Sequence, residues 1–168
     1  MAVFFIKMKS RVNLSLYSTV VTVVVTLLLF GICVAIFSRI VAFITFLSLT
    51  LILIITSLFF APASISANSK FITVKSIFKK RHIKLEDIES IRLFQPSMGA
   101  YRLFGSGGYF GYWGLFREGD IGKYMAYYGK ASDCFLVKLR NGDQYVLGCQ
   151  QPEEMVNYIK ERLPAGNN

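Results

Sequence analysis

The chain has 168 residues, is 54% hydrophobic and carries a formal charge of +9. Residues 1–85 hold ten basic residues and no acid, whereas residues 86–168 hold nine basic and ten acidic ones. A nucleic-acid-binding domain carries its basic patch on the folded unit; here the later half is close to neutral, which argues against nucleic acid as a partner.

Two charge-free runs, at residues 17–37 and 41–60, are each about as long as the roughly 20 apolar residues a bilayer-spanning helix needs. Neither has a polar face, so both are read as membrane spans joined by a minimal link at Ser38-Arg39. The first run is too long for the apolar core of a cleavable signal sequence. Lys7, Lys9 and Arg11 precede the pair, and Lys70, Lys75, Lys79, Lys80, Arg81 and Lys84 follow it. By the positive-inside rule both ends face the cytoplasm. With no ionisable residue in mid-span, a transporter or proton path is disfavoured. The chain therefore divides into residues 1–61, a basic segment with a helical hairpin, and residues 62–168, a cytoplasmic domain.

Pro62 cannot continue a helical ladder and ends the second span. Residues 71–78 are rich in β-branched and aromatic residues and read as a strand, with Ile72, Val74 and Phe78 on one face. A turn at Lys79-Lys80 leads to a return strand with Ile83 and Leu85 inward. A third strand at 90–95 alternates Ile91 and Leu93 with Arg92 and Phe94, and residues 95–99 close it as a loop. Residues 99–129 hold nine of the 13 glycines and ten aromatics. Two strands are expected there, at 109–116 and 121–128. Asn141-Gly142 is a strong hairpin-turn signal between strands at 134–140 and 144–147, with Phe135, Val137 and Leu139 facing the core. Pro152 opens a helix whose Met155, Ile159 and Leu163 form one apolar stripe; Pro164 and Gly166 stop it.

About seven strands, in a bent sheet or partly open barrel capped by one C-terminal helix, make a mainly-β domain behind a membrane α-helical hairpin. The residues that most define it are Pro62, Ile83-Lys84-Leu85-Glu86-Asp87-Ile88, and the segment from Arg102 through Gly105, Tyr109, Phe110, Tyr112 and Trp113 to Gly114. Ile121-Gly122-Lys123-Tyr124 and the Pro152-Glu153-Glu154 helix start complete the set. In these residues the chain resembles a bacterial PH-like (pleckstrin-homology-like) domain family with two N-terminal transmembrane helices. The resemblance implies a PH-like fold at the inner face of a bacterial cell membrane, without an assigned activity. PH domains that bind phosphoinositides place basic residues around their first hairpin, where Lys75, Lys79, Lys80, Arg81 and Lys84 fall here.

Signals for chemistry are weak. Gly105-Ser106-Gly107-Gly108-Tyr109-Phe110 has Phe110 where a dinucleotide loop needs glycine, and no Gly-Lys-Ser/Thr follows. Cys33, Cys134 and Cys149 show no C-x-x-C spacing. His82 is the single histidine, and Glu86-Asp87 reads as a solvated turn. No cofactor, metal or catalytic group is expected. Two sets of residues are candidates for interaction. Arg102, Tyr109, Phe110, Tyr112, Trp113 and Phe116 either fill the sheet core or contact a protein partner, a second copy or headgroups. Lys75, Lys79, Lys80, Arg81 and Lys84 set topology or attract anionic lipid, at about 1 kcal/mol per basic residue.

Overall fold

A computed structural model of the chain describes residues 7–97 and 99–163. Helices α1 (Leu16–Ala35) and α2 (Ile40–Phe60) fall where the two apolar runs predict them. Ser15 caps α1, its Oγ accepting the Ser18 N–H at 3.1 Å. Such a side-chain acceptor replaces one of the helix partners missing at an N-terminus. Across the connecting turn, the rings of Phe37 and Phe43 meet edge-on at 5.3 Å. At the far end the Ala61 N–H reaches the Ser57 carbonyl at 2.7 Å. Pro62 then begins a strand. Both helices are long and apolar enough to cross a membrane, and most of their large side chains are exposed.

Ten strands form two sheets among the described residues, more than the seven expected. The first sheet runs β1 (Met8–Arg11), β2 (Pro62–Ala67), β3 (Phe71–Ser76) and β4 (Lys80–Lys84), all antiparallel. Its edge strand β1 precedes α1 in the chain and pairs with β2, from Met8 opposite Ala67 to Arg11 opposite Ser64. Met-Lys-Ser-Arg alternates, with Lys9 and Arg11 exposed and Met8 and Ser10 turned in, but it is four residues long without a β-branched or aromatic member, and Pro62–Ala67 is mostly small residues. Both escape a reading based on β-propensity.

The second sheet contains β5 (Ile88–Leu93), β6 (Tyr101–Gly108), β7 (Gly111–Glu118), β8 (Gly122–Tyr128), β9 (Cys134–Leu139) and β10 (Gln144–Gly148). Its order is β5-β9-β10-β8-β7-β6, and only β10 with β8 is parallel. The sheet is open, with β5 and β6 at its edges. Gly142, at φ +88°, turns β9 into β10 as the Asn-Gly pair predicts, and Asn141 Oδ1 accepts the Asp143 N–H at 3.0 Å.

Between the sheets lies one core. Ile65, Ile72, Val74, Ile83 and Leu85 meet Phe135, Val137, Leu139 and Leu147 there. Helix α3 (Pro152–Lys160) adds Met155, Val156 and Ile159, all buried, to the same core. Its expected stop at Pro164 and Gly166 lies outside the described residues, as does Met98. On the opposite face of the second sheet, Phe116, Tyr124, Ala126, Tyr128, Leu136 and Val146 form a second cluster. Strand β9 is thus covered on both faces, which explains its unbroken apolar Cys134–Val137.

Four expectations are corrected. Phe78 does not share a face with Ile72 and Val74: β3 ends at Ser76, whose N–H bonds the Lys79 carbonyl at 2.8 Å, and Phe78 stands exposed on the tip. Leu93, at the end of edge strand β5, is exposed while Ile91 is buried. Tyr109 and Phe110 form a turn rather than the start of a strand. The glycine-rich residues before them, where no strand is expected, are strand β6.

Candidate functional site

The β6–β7 hairpin carries every member of the aromatic set, and glycine determines its path. Gly105 and Gly114 sit directly opposite each other at φ +108° and +111°. A Cβ on Gly105 would lie 2.1 Å from the Trp113 carbonyl oxygen, and one on Gly114 would lie 2.3 Å from that of Phe104. The two backbones touch with no room for side chains, as glycine within strands often marks. A bulge between Arg102 and Phe104 adds to the irregularity. Beyond this point the hairpin packs along α1.

Its turn is hydrogen-bonded to the helix. Phe110 adopts φ +56°, a region that bulky residues rarely enter, and its N–H donates to Thr22 Oγ1 at 2.9 Å. The Thr22 hydroxyl in turn donates to the Ser18 carbonyl at 2.7 Å. One turn further along, Thr26 Oγ1 and the Tyr109 hydroxyl are 3.4 Å apart. The Tyr109 carbonyl accepts from Ser106 Oγ at 2.8 Å and from Trp113 Nε1 at 3.2 Å. Close packing to Tyr17 and Val21 is possible because Gly108 has no side chain.

The aromatic set therefore faces inward. Trp113 is buried and stacks on Phe60 at the end of α2, with ring centroids 5.6 Å apart. Phe116 is buried against Tyr124. Tyr112 stacks on Tyr128 at 4.8 Å. Its phenol is pushed above the ordinary range by burial and by Tyr17, against the effect of a hydrogen bond with Ser18. Tyr109 and Phe110 are half-buried on α1, and of the six only Arg102 is exposed. Its guanidinium lies along Gly107 and has no acidic partner among the described residues. Between this hairpin and the two helices runs a groove of about 490 Å³, lined by Val25, Leu49, Ile52, Leu53, Phe104 and Arg102, among others.

The basic set is divided rather than pooled. Lys75 and Lys80 face each other across β3 and β4. Lys79 lies over the Phe60 ring at 5.6 Å, at the foot of α2. Arg81 covers the ring of Tyr127 at 5.7 Å. At the other end of β4, Lys84 is paired with Glu86 at 3.0 Å, which raises its pKa. The tip between β3 and β4 adds two exposed apolar residues, Ile77 and Phe78, and Phe78 meets Phe59 of α2 at 5.2 Å.

Groups with latent reactivity are held quiet. Burial raises the thiols of Cys134 and Cys149 above their ordinary range, which suppresses the nucleophilic thiolate. Burial raises the Tyr124 and Tyr128 phenols as well. His82 Nδ1 shares a 3.0 Å hydrogen bond with Thr73 Oγ1 on an exposed face. Among the described residues, no group of three or more His, Cys, Asp or Glu stands close enough to hold a metal ion.

Sequence reasoning missed the helix side of this contact. Ser18, Thr22 and Thr26 recur every four residues and so share one face of α1. That stripe was legible as a polar line in an apolar run, and its partner is the β6–β7 turn.

Comparison with known families agrees with this architecture. A family model described as "Bacterial PH domain" matches residues 63–163, from the second residue of β2 to just beyond α3. No curated protein sequence and no solved structure matches the chain. A helical hairpin, an open multi-stranded sheet and a C-terminal helix, together with a match over more than half its length, place this chain in the bacterial PH domain family.

Proposed function

We propose that the chain is a membrane-anchored PH-domain module at the inner face of a bacterial cell membrane, with both ends in the cytoplasm. It works by binding a protein partner or a second copy, not by catalysis. PH-like domains are scaffold and interaction modules. The observation that carries the reading is the contact between hairpin and domain: Phe110 on Thr22 and Trp113 on Phe60 join the anchor to the sheet without a free linker. Charge asymmetry supports the orientation. Pairing of β1 with β2 supports a narrower part of it, that the two flanks of the helical hairpin are on one side of whatever it penetrates.

With the aromatic segment turned inward, partner contact falls to the open sheet edges, where Leu93 on β5 and Tyr101 on β6 are exposed. A photo-crosslinking residue at either position of the full chain, in native membranes, is expected to give a discrete higher-mass adduct. Absence of adducts at both positions overturns the interaction reading. Orientation is tested with Ser38→Cys and Lys70→Cys in a background lacking native cysteines. An impermeant maleimide added outside intact cells should label the first and spare the second; the opposite result reverses the topology.

A second reading, attraction of the domain to anionic lipid, is favoured by the β3–β4 tip. Ile77 and Phe78 are exposed there beside Lys75, Lys79 and Lys80, at the foot of α2. Lys79→Glu with Lys80→Glu should then make the tip more accessible to protease in anionic vesicles at low salt, with little change in neutral vesicles. Equal cleavage of variant and parent in both vesicle types removes this reading.

A further inference from the structure

The β6–β7 hairpin has a depth problem whose resolution identifies a ligand. Thr22, which accepts from the Phe110 N–H at the turn, is six residues beyond the start of α1 at Leu16, and the Tyr109 hydroxyl reaches one turn further, to Thr26. At 1.5 Å per residue the turn backbone is about 9 Å along the helix. Thirteen residues remain to Ala35, or about 20 Å, short of a hydrocarbon core roughly 30 Å thick. If the first six residues of α1 stood in water, the remainder could not span. Given the membrane placement proposed above, the hairpin tip lies beside the helix inside the inner leaflet.

The hairpin suits that position. Its fourteen residues from Leu103 to Phe116 carry no charge, and Arg102 and Arg117 bracket them. Backbone polar groups at membrane depth must be satisfied by protein. At the deepest point, the Tyr109–Phe110 turn, Thr22, Ser106 and Trp113 supply those partners, while the outer edge of β6, with no strand beside it, belongs nearer the headgroups. Phe104 remains 69% exposed.

We infer that the groove between this hairpin and the two helices seats one anionic phospholipid of the inner leaflet. Its acyl chain lies against Val25, Leu49, Ile52, Leu53 and Phe104, and its phosphate is held by Arg102. The volume of about 490 Å³ falls in the range of ligand sites, about 300–1,000 Å³. Among the described residues, Arg102 is the sole cation in the lining and has no acidic partner. Basic pockets next to transmembrane helices on the cytoplasmic side select anionic headgroups. An arginine fork matches a phosphate in two-point hydrogen bonding, and its aliphatic stem tolerates apolar surroundings.

Trp113 lines the same groove and is the chain's single tryptophan, so the intact protein carries its own probe. The full chain is reconstituted in phosphatidylcholine vesicles containing a small fraction of phosphatidylglycerol. Bromine quenchers are placed on the acyl chains of one lipid or the other, at equal mole fraction. Brominated phosphatidylglycerol is expected to quench Trp113 several-fold more than brominated phosphatidylcholine. Arg102→Gln should abolish that preference, and Arg117→Gln, on the neighbouring strand, should retain it. Equal quenching by both lipids in the parent protein overturns the seat while leaving the hairpin in the membrane. Loss of the preference in both arginine variants reduces it to general charge attraction and also overturns the seat. Quenching by aqueous iodide and by neither lipid overturns the membrane placement itself.

Discussion

A chain beginning at Pro62 is expected to purify as a loosely packed, aggregating species rather than as a folded domain. The cut removes β1, leaving the edge of β2 unpaired and exposing the core beneath Met8 and Val12. It also removes the partners of three backbone bonds. These are Val12 N–H to Ala63 O at 3.1 Å, Ser15 N–H to Gly129 O at 2.9 Å, and Gln150 N–H to Arg11 O at 3.0 Å. Each net hydrogen bond contributes about 0.5–1.5 kcal/mol, so with the β1 ladder the loss is a large share of a typical stability of about 5–15 kcal/mol. The cut also uncovers Trp113, which loses Phe60. A broad, non-cooperative melt with strong binding of a hydrophobic dye is the expected result. Joining residues 7–15 to residue 62 through a flexible linker should recover part of the cooperativity. A sharp single transition in the chain beginning at Pro62 would show that β1 is dispensable.

The second large effect is expected at the crossing glycines. Gly105→Ala places a Cβ 2.1 Å from a backbone oxygen that cannot swing aside, at a φ of +108°. Such backbone conformations alone cost a non-glycine residue about 1–3 kcal/mol, and relieving the overlap requires β6 and β7 to separate. Trp113 should leave Phe60, giving red-shifted emission and a lower melting temperature in detergent. Gly119→Ala is the control: nothing lies within 4 Å of a Cβ there, and its φ is ordinary. Surface changes of that kind typically alter stability by less than about 0.5 kcal/mol. Similar melting temperatures for the two variants would mean that the glycine crossing does not hold the hairpin in place.

Much of the architecture could be read from local pattern. The two helices follow from unbroken apolar length and from Pro62, and β9 and β10 follow from Asn141-Gly142 and the alternation of Phe135, Val137 and Leu139. What escaped reading depends on partners distant in sequence. Strand β1 alternates over only four residues, none of them β-branched or aromatic, and exists because β2 pairs with it. The second half of strand β6 is poor in β-forming residues, and Gly105, Gly107 and Gly108 belong to the sheet because β7 lies alongside them. The same holds for the candidate residues. Tyr112, Trp113 and Phe116 were identifiable as a group, but whether they met solvent or protein depended on α1 beside Tyr112, on Phe60 of α2 over Trp113 and on Tyr124 against Phe116. In the basic set, spacing suggested one patch. Cross-strand register instead sent Arg81 toward Tyr127 and left Lys75 opposite Lys80.

The pairing of β1 with β2 also imposes an order of events during synthesis. Arg11 leaves the ribosome before either helix, and its partner strand begins only at Pro62. At the usual pace of about 5–20 residues per second, the edge strand waits roughly 3–10 s while both helices are made. With the membrane placement proposed above, the sheet can close only once the polypeptide has gone into the bilayer and returned. On that placement, a nascent chain whose helical hairpin inserts only halfway keeps an open β2 edge, and closure of the ladder marks the chain whose two flanks have come together.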